Sequence, residues 1–375
     1  MKVLFVSNDL THHLVPFFES IMSIYGKGNC IFAVLEPCDN RHRMGFPAYN
    51  EPWVFVKYER TRDEYVKLYK EADIIITRVW NHLDLIEDSL QNRKMVFYAS
   101  ERWFKPPIGK VRLLVPSYFI RYLKFRKLSK YENFYYLAMG YYASLDFKFL
   151  KLFKNRIFHF GYFTPTFTEA NFRNESNKPT VEILWAGRML TWKRVKDLLI
   201  VFNDLVNSYN IKLIIVGDGP KCNELVQYAD TNKIQNITFR KFVPNKELKQ
   251  IMRDADIYVL PSSGYEGWGA VINEAMQTKC AVIASKETGA ARSMIIDGKN
   301  GLTFPSGDRN ELRKTIVKLL EDQILLNRLK LEGYKTISET WSATEAARRF
   351  CIIIENIKKE SSLDIFKDGP MQLMG

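Results

Sequence analysis

Short apolar runs alternate with amphipathic stretches along the first half of the chain. The runs have the length and composition of buried β-strands, and they cover residues 2–6, 30–35, 53–56, 74–77, 95–99 and 135–139. Apolar residues at helical spacing fill several of the intervals, for instance residues 62–71, and a helix with Pro16 in its first turn follows the first run. This alternation predicts a parallel, doubly wound α/β sheet.

The alternation resumes after a polar interval. Residues 163–180 contain Pro165, Pro179 and three asparagines, which is typical of a linker. Further strand patterns cover residues 181–186, 212–216, 237–242, 257–260 and 281–285, and helical patterns cover residues 311–332 and 341–359. We therefore predict four regions: a Rossmann-like domain at residues 1–165, a linker at 166–180, a second Rossmann-like domain at 181–340, and a C-terminal helix and tail at 341–375.

Composition narrows the classes of protein. The 375 residues are 46% hydrophobic and carry a net charge of +13, so the chain can form packed cores and should attract anionic partners. No apolar run approaches the roughly 20 residues of a membrane span, and residues 1–6 are too short for a signal peptide. Five cysteines without a CxxC pair favour free thiols in a reducing cytoplasm. No zinc-finger or RNA-binding motif occurs, which argues against a nucleic-acid partner.

The most informative stretch is residues 261–289. It combines a strand end, a loop rich in glycine and serine, a helix pattern and another strand. Glu266 lies in the loop, and Glu274 lies more than one turn into a helix that begins near Gly269. Free N–H groups at a helix start attract phosphate, and carboxylates suit paired sugar hydroxyls. In isolation, two such glutamates would indicate only a favourable charge at a helix start and a solvated side chain.

This stretch resembles the Glu-x7-Glu region of the family 4 glycosyltransferases, which have the GT-B fold. The matching residues are Pro261, Ser262, Glu266, Gly267, Trp268, Gly269, Glu274, Ala275 and Met276. Gly187, Arg188 and Lys193 fit the family's G-R-x-x-x-x-K motif, and residues 216–220 fit its V-G-D-G-P turn. The resemblance covers nearly the whole chain and is strongest at residues 182–304.

The resemblance implies transfer of a sugar from a nucleotide-diphosphate donor with retention, and without a catalytic metal or other cofactor. Glu266 would hold the donor sugar, Glu274 the ribose, and Arg188 with Lys193 the diphosphate. Of these, Glu266, Arg188 and Lys193 would be the catalytic residues. The further donor contacts that it implies are Gly187, Gly217, Arg240, Phe242, Gly267, Gly269, Ala270 and Val271. The family favours UDP-sugars, with GDP-sugars second.

The segment Asp254-Ala255-Asp256 has the spacing of a metal-binding D-x-D motif. Asp256 leads directly into the strand pattern at residues 257–260, so its side chain should be tied to the sheet. We therefore expect both aspartates to be structural and predict no metal site here.

The first domain carries polar residues just after its predicted strands. His12 and His13 follow the first run, His82 follows residues 74–77, and Glu101 and Arg102 follow residues 95–99. Ligands bind beyond the carboxyl ends of parallel strands, so these residues are candidates for the acceptor or sugar side, although each could also be a helix cap or surface residue. The segments NDLTHHLVPF, SERWFK and YYLAMGYYASLD resemble bacterial capsule and exopolysaccharide glycosyltransferases. No G-x-G-x-x-G follows the first strand, which argues against nicotinamide binding.

Basic and aromatic residues interleave over residues 116–136. The basic members are Arg121, Lys124, Arg126, Lys127 and Lys130. A solvated amphipathic helix explains this pattern, and so does a surface that meets anionic lipid. Both interpretations stay open at this point.

The sequence therefore predicts a GT-B glycosyltransferase with two Rossmann-like domains facing a central cleft. It would move a hexose from a nucleotide sugar to a glycan or lipid-linked acceptor in bacterial polysaccharide synthesis, in the cytoplasm, with peripheral contact at the inner membrane face left open. Two alternatives remain. A GT-B nucleotide-sugar epimerase or hydrolase would need a further acid–base pair. A non-catalytic nucleotide-sugar-binding partner would not need the intact Glu266, Glu274, Arg188 and Lys193.

Overall fold

The computed structural model describes residues 1–36, 50–165 and 179–374. The chain forms two compact units: Met1–Pro165 with Trp341–Gly375, and Thr166–Thr340. The predicted linker at residues 166–180 lies outside the described residues except for its last two positions.

The first unit is built on a parallel sheet of seven strands, counted over the residues just given. The strands are β1 (Val3–Ser7), β2 (Cys30–Val34), β3 (Val54–Val56), β4 (Ile74–Thr77), β5 (Met95–Ser100), β6 (Phe134–Met139) and β7 (Ile157–Phe160). The helices are α1 (Val15–Tyr25), α2 (Arg62–Glu71), α3 (Leu83–Gln91), α4 (Pro116–Leu128) and α5 (Tyr141–Phe149). The sheet order is β3-β2-β1-β4-β5-β6-β7. Strands β1 to β3 are added toward one edge of the sheet and strands β4 to β7 toward the other, so the order reverses between β1 and β4.

Local sequence explains these elements. Residues of β1 are buried throughout, as expected for a parallel strand covered on both faces. α2 begins with a capping box, in which Thr61 and Glu64 satisfy each other's backbone N–H groups. The last helix, α13 (Ala343–Lys358), belongs to this unit and packs on α1, where the rings of Phe17 and Phe350 meet edge-on at 5.8 Å.

The second unit also has a parallel sheet. Its strands are β8 (Val181–Ala186), β9 (Ile211–Val216), β10 (Ile237–Arg240), β11 (Ile257–Leu260), β12 (Ala281–Ser285) and β13 (Leu302–Phe304). Its helices are α6 (Val195–Leu205), α7 (Cys222–Thr231), α8 (Asn245–Asp254), α9 (Val271–Gln277), α10 (Gly289–Met294), α11 (Arg309–Glu321) and α12 (Gln323–Lys335). The order β10-β9-β8-β11-β12-β13 places the switch point, where such folds bind ligands, between β8 and β11.

The predicted class, two parallel doubly wound α/β sheets, is confirmed. The helix predicted at residues 311–332 is interrupted, because Asp322 ends α11 and caps α12 by accepting from the Leu325 N–H at 2.8 Å. The prediction missed β7, whose four residues include His159 in the middle of the apolar pattern. None of the helices in the described part of the chain has the length and apolar content needed to cross a membrane.

The basic segment predicted over residues 116–136 is also divided. α4 ends at Leu128, and β6 begins at Phe134. Arg121 does not lie with the other basic side chains, because its guanidinium packs 4.3 Å from the ring centroid of Trp103 and donates to the Tyr98 hydroxyl. Arg121 is half-buried there, unlike the exposed Lys124, and its place in a lipid-facing surface stays a prediction.

Candidate functional site

Three loops of the second unit are tied together at the carboxyl edge of its sheet. They follow β8, β9 and β11. The Met189 N–H donates to the Asp218 carbonyl at 2.7 Å, which joins the first loop to the second. The Ser263 N–H donates to the Trp192 carbonyl at 2.8 Å, which joins the third loop to the first. Since two of these loops flank the switch point, the tie places their side chains where a ligand of this fold would bind.

Glycines allow the backbones to approach this closely. Gly217 has φ +137°, and a Cβ added there would lie 1.9 Å from the Gly187 carbonyl oxygen. A Cβ at Gly289 would lie 2.0 Å from the Gly267 carbonyl oxygen. Neither position can accept a side chain without moving backbone, so these motif glycines are required by packing between loops.

Lys193 and Glu266 form an ion pair between the first and third loops. Their side chains are only 13% and 12% exposed. The Lys193 ammonium also lies 4.6 Å from the centroid of the Trp192 ring, and that ring packs 5.6 Å from Tyr265. The pair is thus partly shielded from water, where a charge interacts more strongly with a ligand than it would at the surface.

Glu274 is buried, with 7% of its surface exposed. α9 begins at Val271, two residues later than predicted, so Glu274 lies in its first turn rather than beyond it. Lys249 on α8 interacts electrostatically with Glu274. Burial lowers the pKa of Lys249, and the negative charge of Glu274 partly offsets this shift. The sequence analysis missed Lys249, because nothing around residue 249 connects it with Glu274.

Trp268 fixes the loop that leads into α9. Its indole N–H donates to the Asn273 side-chain oxygen at 2.9 Å, and its carbonyl accepts from the Ala290 N–H at 2.8 Å. The Trp268 side chain is almost fully buried, so this motif residue acts as a structural anchor between α9 and α10. Gly269, with φ +92°, then turns the chain directly into the helix.

The other residues predicted to contact the donor lie on the same loops or at the same sheet edge. Arg188 is exposed beside the loop tie, and Arg240 ends β10, where its carbonyl accepts from the Gly217 N–H at 2.9 Å. Phe242 is 55% exposed. Ala270 is the N-cap of α9 and provides no side-chain cap, and it is half-buried together with Val271. Their roles stay predictions.

Asp256 has structural partners on both carboxylate oxygens. One oxygen lies 2.6 Å from the Lys330 ammonium, and the other accepts from the Glu182 N–H at 3.0 Å. Asp254 accepts from the Gln250 side chain at 3.2 Å. These contacts support the structural interpretation of the D-x-D spacing.

In the first unit, polar side chains from different strands form a chain of contacts. Arg78 follows β4 and donates to the Tyr162 hydroxyl at 2.9 Å. That hydroxyl donates in turn to Glu101 at 3.2 Å, and Lys105 pairs with Glu101 at 3.1 Å. The His13 ring lies 5.7 Å from the Tyr162 ring. The sequence analysis proposed His13 and Glu101 but missed Arg78 and Tyr162, although both follow strands as the named candidates do.

The remaining candidates of this unit differ in their surroundings. His12 packs against His13, with ring centroids 3.8 Å apart. Arg102 donates to the Phe104 carbonyl at 3.0 Å and lies over the Tyr142 ring. His82 is instead the N-cap of α3 and packs on Tyr65 of α2. Burial, and then the charge of a nearby lysine, lower the pKa of His82. The described contacts therefore place it apart from the Glu101 group.

Residues 166–336, within the second unit, match the family described as Glycosyl transferases group 1. Three curated relatives each match part of the chain. They are an uncharacterized glycosyltransferase of Methanocaldococcus jannaschii (27% identity over 188 residues, 49% of this chain and 47% of the relative), phosphatidyl-myo-inositol mannosyltransferase of Mycobacterium leprae (31% over 134 residues, 36% and 35%) and the capsular polysaccharide biosynthesis glycosyltransferase CapM of Staphylococcus aureus (25% over 162 residues, 42% and 42%). The chain thus spans less than half the length of each of these relatives.

Solved structures extend the likeness to both units. HepE of Anabaena, solved in complex with UDP and glucose, has a TM-score of 0.68 at 17% identity and covers 95% of this chain and 100% of its own. A glycosyltransferase of Rickettsia africae has a TM-score of 0.69 at 16% identity and covers 96% and 99%. At these identities the likeness establishes the fold. The predicted GT-B class with two Rossmann-like domains is confirmed.

Proposed function

We propose that this protein is a glycosyltransferase that moves a sugar from a nucleotide-diphosphate donor to a glycan or lipid-linked acceptor. The observation that carries this proposal is the shielded Lys193–Glu266 pair at the switch point of the second unit, in loops tied by motif glycines. It combines a cation for phosphate with a carboxylate for sugar hydroxyls, beside the exposed Arg188.

The chemistry assigns one task to each residue. The diphosphate would compete with Glu266 for the Lys193 ammonium, and the released carboxylate would accept hydrogen bonds from the donor sugar. As the bond between the anomeric carbon and the phosphate oxygen breaks, Lys193 and Arg188 would stabilise the charge on the departing diphosphate. The acceptor oxygen would bond to the anomeric carbon on the same face and give its proton to the leaving phosphate. Glu274 would hold the ribose.

The finer assignments rest on the resemblance to family 4. They are retention of configuration, a hexose as the transferred group, independence of metal, and a UDP-sugar before a GDP-sugar. Two comparisons agree in kind: HepE binds UDP and glucose, and CapM is named for capsular polysaccharide biosynthesis. We propose that this chain acts in bacterial polysaccharide synthesis, and these two comparisons support that proposal.

A donor panel tests the proposal. UDP-glucose, UDP-N-acetylglucosamine, UDP-galactose and GDP-mannose would be incubated with the protein, with and without a lipid-extract acceptor, in EDTA. We expect nucleoside diphosphate release that depends on the acceptor and survives chelation, and an α-linked product from an α-linked donor by proton NMR. A β-linked product would overturn retention. Release without acceptor would indicate a hydrolase, interconverted donor an epimerase, and donor binding without either a binding partner.

A further inference from the structure

One surface of the first unit combines exposed apolar residues with basic residues. It comprises Ile108, the 3-10 segment Gly109–Leu114 and the outer side of α4, and we call it the docking surface. Residues 106–131, which contain it, include seven lysines and arginines and no aspartate or glutamate. None of these residues belongs to the candidate site described above.

The apolar side chains of the docking surface are unusually exposed for their size. Leu114 is 82% exposed and Val111 is 61% exposed, both in the 3-10 segment. Isolated exposed apolar residues are common, but neighbouring ones form a patch of the kind that marks an interaction surface. The apolar members of the docking surface are Ile108, Val111, Leu114, Phe119, Ile120 and Leu123.

The two sides of α4 differ. At about 100° per residue, Phe119, Ile120 and Leu123 share an arc with Lys124 and Lys127. Opposite them, Phe125 and Leu128 are buried, and Arg121 packs on Trp103. The inner side therefore anchors the helix to the unit, so the outer apolar residues are not needed for its packing.

Basic residues lie beside the apolar arc of α4. Lys124, Arg126 and Lys130 are exposed, and Lys127 pairs with Glu87 of α3 while staying 67% exposed. Arg112 is turned toward the Trp103 carbonyl and the Tyr118 hydroxyl, so it holds the 3-10 segment against α4. Apolar side chains between exposed cations are complementary to a partner that has an apolar interior and an anionic surface.

We propose that the docking surface binds the face of an anionic lipid bilayer, with the apolar side chains of the 3-10 segment and α4 entering the acyl boundary and Lys124, Arg126 and Lys130 meeting the headgroups. A second copy of the chain fits less well, because two such basic surfaces would repel each other. Nucleic acid would leave the aliphatic side chains in water. The inference goes beyond the proposed function and does not depend on it, since lipid binding is measured without a substrate.

Vesicle sedimentation tests this binding with the full chain. Phosphatidylcholine vesicles with and without phosphatidylglycerol would be compared at low and high salt. We expect binding to the anionic vesicles at least ~10-fold tighter, falling with salt because the headgroup attraction is screened. Equal binding to both compositions would overturn the role of the basic residues, and binding to neither would overturn the proposal.

Paired variants separate local docking from general charge. Lys124→Glu with Arg126→Glu should weaken binding to anionic vesicles by ~30-fold or more, since each basic residue contributes about a factor of five. The control, Arg313→Glu with Lys318→Glu on the exposed side of α11, makes the same charge change elsewhere and should alter binding less than ~3-fold. If the control weakens binding as much as the docking pair does, net charge explains the binding and the proposed surface is wrong.

The apolar contribution has its own control. Leu114→Ser with Val111→Ser should weaken binding by ~10-fold, because both side chains would leave the acyl boundary. Ile324→Ser removes an equally exposed apolar side chain in the second unit, 84% exposed, and should leave binding unchanged. Melting temperatures would show that all variants fold. Unchanged vesicle binding of the Leu114/Val111 variant, or a dimer in sedimentation velocity that this variant abolishes, would overturn lipid insertion.

Discussion

The carboxyl edges of the two sheets carry comparable sets of polar residues. The contacts that position these residues differ between the two units. In the second unit, backbone meets backbone at Gly217 and Gly289, and the loops bring Lys193 and Glu266 together. In the first unit, side chains meet side chains, from Arg78 through Tyr162 to Glu101. The family match falls on the second unit alone.

This difference separates two ways of building a site on one fold. A loop tie made by glycines fails with a single added carbon, because no rotamer can relieve a clash with backbone. A side-chain network can lose one member and keep the rest of its packing. The second unit should therefore be sensitive at its glycines, and the first unit tolerant at its network.

The largest effect should come from Gly217→Ala. The added Cβ would meet the Gly187 carbonyl oxygen at 1.9 Å with φ at +137°, so the loops must separate, at a cost of about 4 kcal/mol to the second unit. Chemical denaturation measures the loss of stability. Hydrogen exchange in β8 and β9 shows whether the loss falls on these strands. Gly298→Ala is the control, because Gly298 also has a positive φ but nothing lies within 4 Å of its Cβ. Equal loss in both variants would mean that strain, rather than the loop tie, sets the requirement.

Replacing either Glu266 or Glu274 by glutamine should change function rather than folding. Glu266→Gln should lower donor turnover by about 100-fold, because sugar positioning matters most at the transition state, and should leave affinity for the bare nucleoside diphosphate intact. Glu274→Gln should weaken the bare nucleotide by about 10-fold. Calorimetry and initial rates measure both. If Glu266→Gln loses the bare nucleotide as badly as Glu274→Gln does, the assignment of roles is wrong.

Stability should depend on pH in the first unit only. Burial lowers the pKa of His159 to about 4, and all five histidines lie within residues 1–165. The unfolded chain takes up the proton near pH 6.5 and the folded unit only near pH 4, so more protons bind the unfolded state in this window. The first unit should therefore lose about 2 kcal/mol between pH 7 and pH 5.

His159→Phe is the matched variant for that pH effect. It removes the titrating group and keeps an aromatic ring beside Trp341, whose ring lies 5.0 Å from His159. Hydrogen exchange in β6 and β7 at the two pH values should show a smaller pH response in the variant. A parallel response in the second unit, or an unchanged response in His159→Phe, would contradict the assignment.

The smallest effect should come from Tyr162→Phe. This change removes the hydroxyl between Arg78 and Glu101 and keeps the ring, so the first unit should lose about 1 kcal/mol. Nucleotide affinity should not change, because the residues proposed to bind the donor lie in the second unit. The measurement is denaturation together with nucleotide calorimetry. A loss as large as that of Gly217→Ala would remove the contrast between the two sites.

Much of the fold could be predicted, because its signals are local. Strands β8, β11 and β12 have the predicted bounds, since each is an apolar run with a polar or turn residue at its end. The break at Asp322 was missed, because the apolar spacing continues across it while its carboxylate caps the next helix. β7 was missed because His159 looks polar in sequence and is buried in the structure.

The candidate site divides in the same way. The resemblance to family 4 implied that Arg188, Lys193, Glu266 and Glu274 serve one ligand, and the structure gathers their loops at one switch point. Spacing did not indicate that Lys193 and Glu266 pair with each other, or that Lys249 lies near Glu274. These contacts depend on how loops from separate strands meet.

What the sequence determined by itself was the alternation of strand and helix, the positions of the motif glycines and the identity of the charged residues at the second sheet. The alternation follows from local periodicity, and the glycines and charged residues follow from motifs that the sequence shares with family 4. The tertiary structure alone decided which polar side chains meet across strands, that Arg121 turns inward while its basic neighbours stay exposed, and that residues 108–123 expose their apolar side chains. The reason is that burial depends on tertiary packing. Whether a side chain is covered depends on residues that are far from it in sequence.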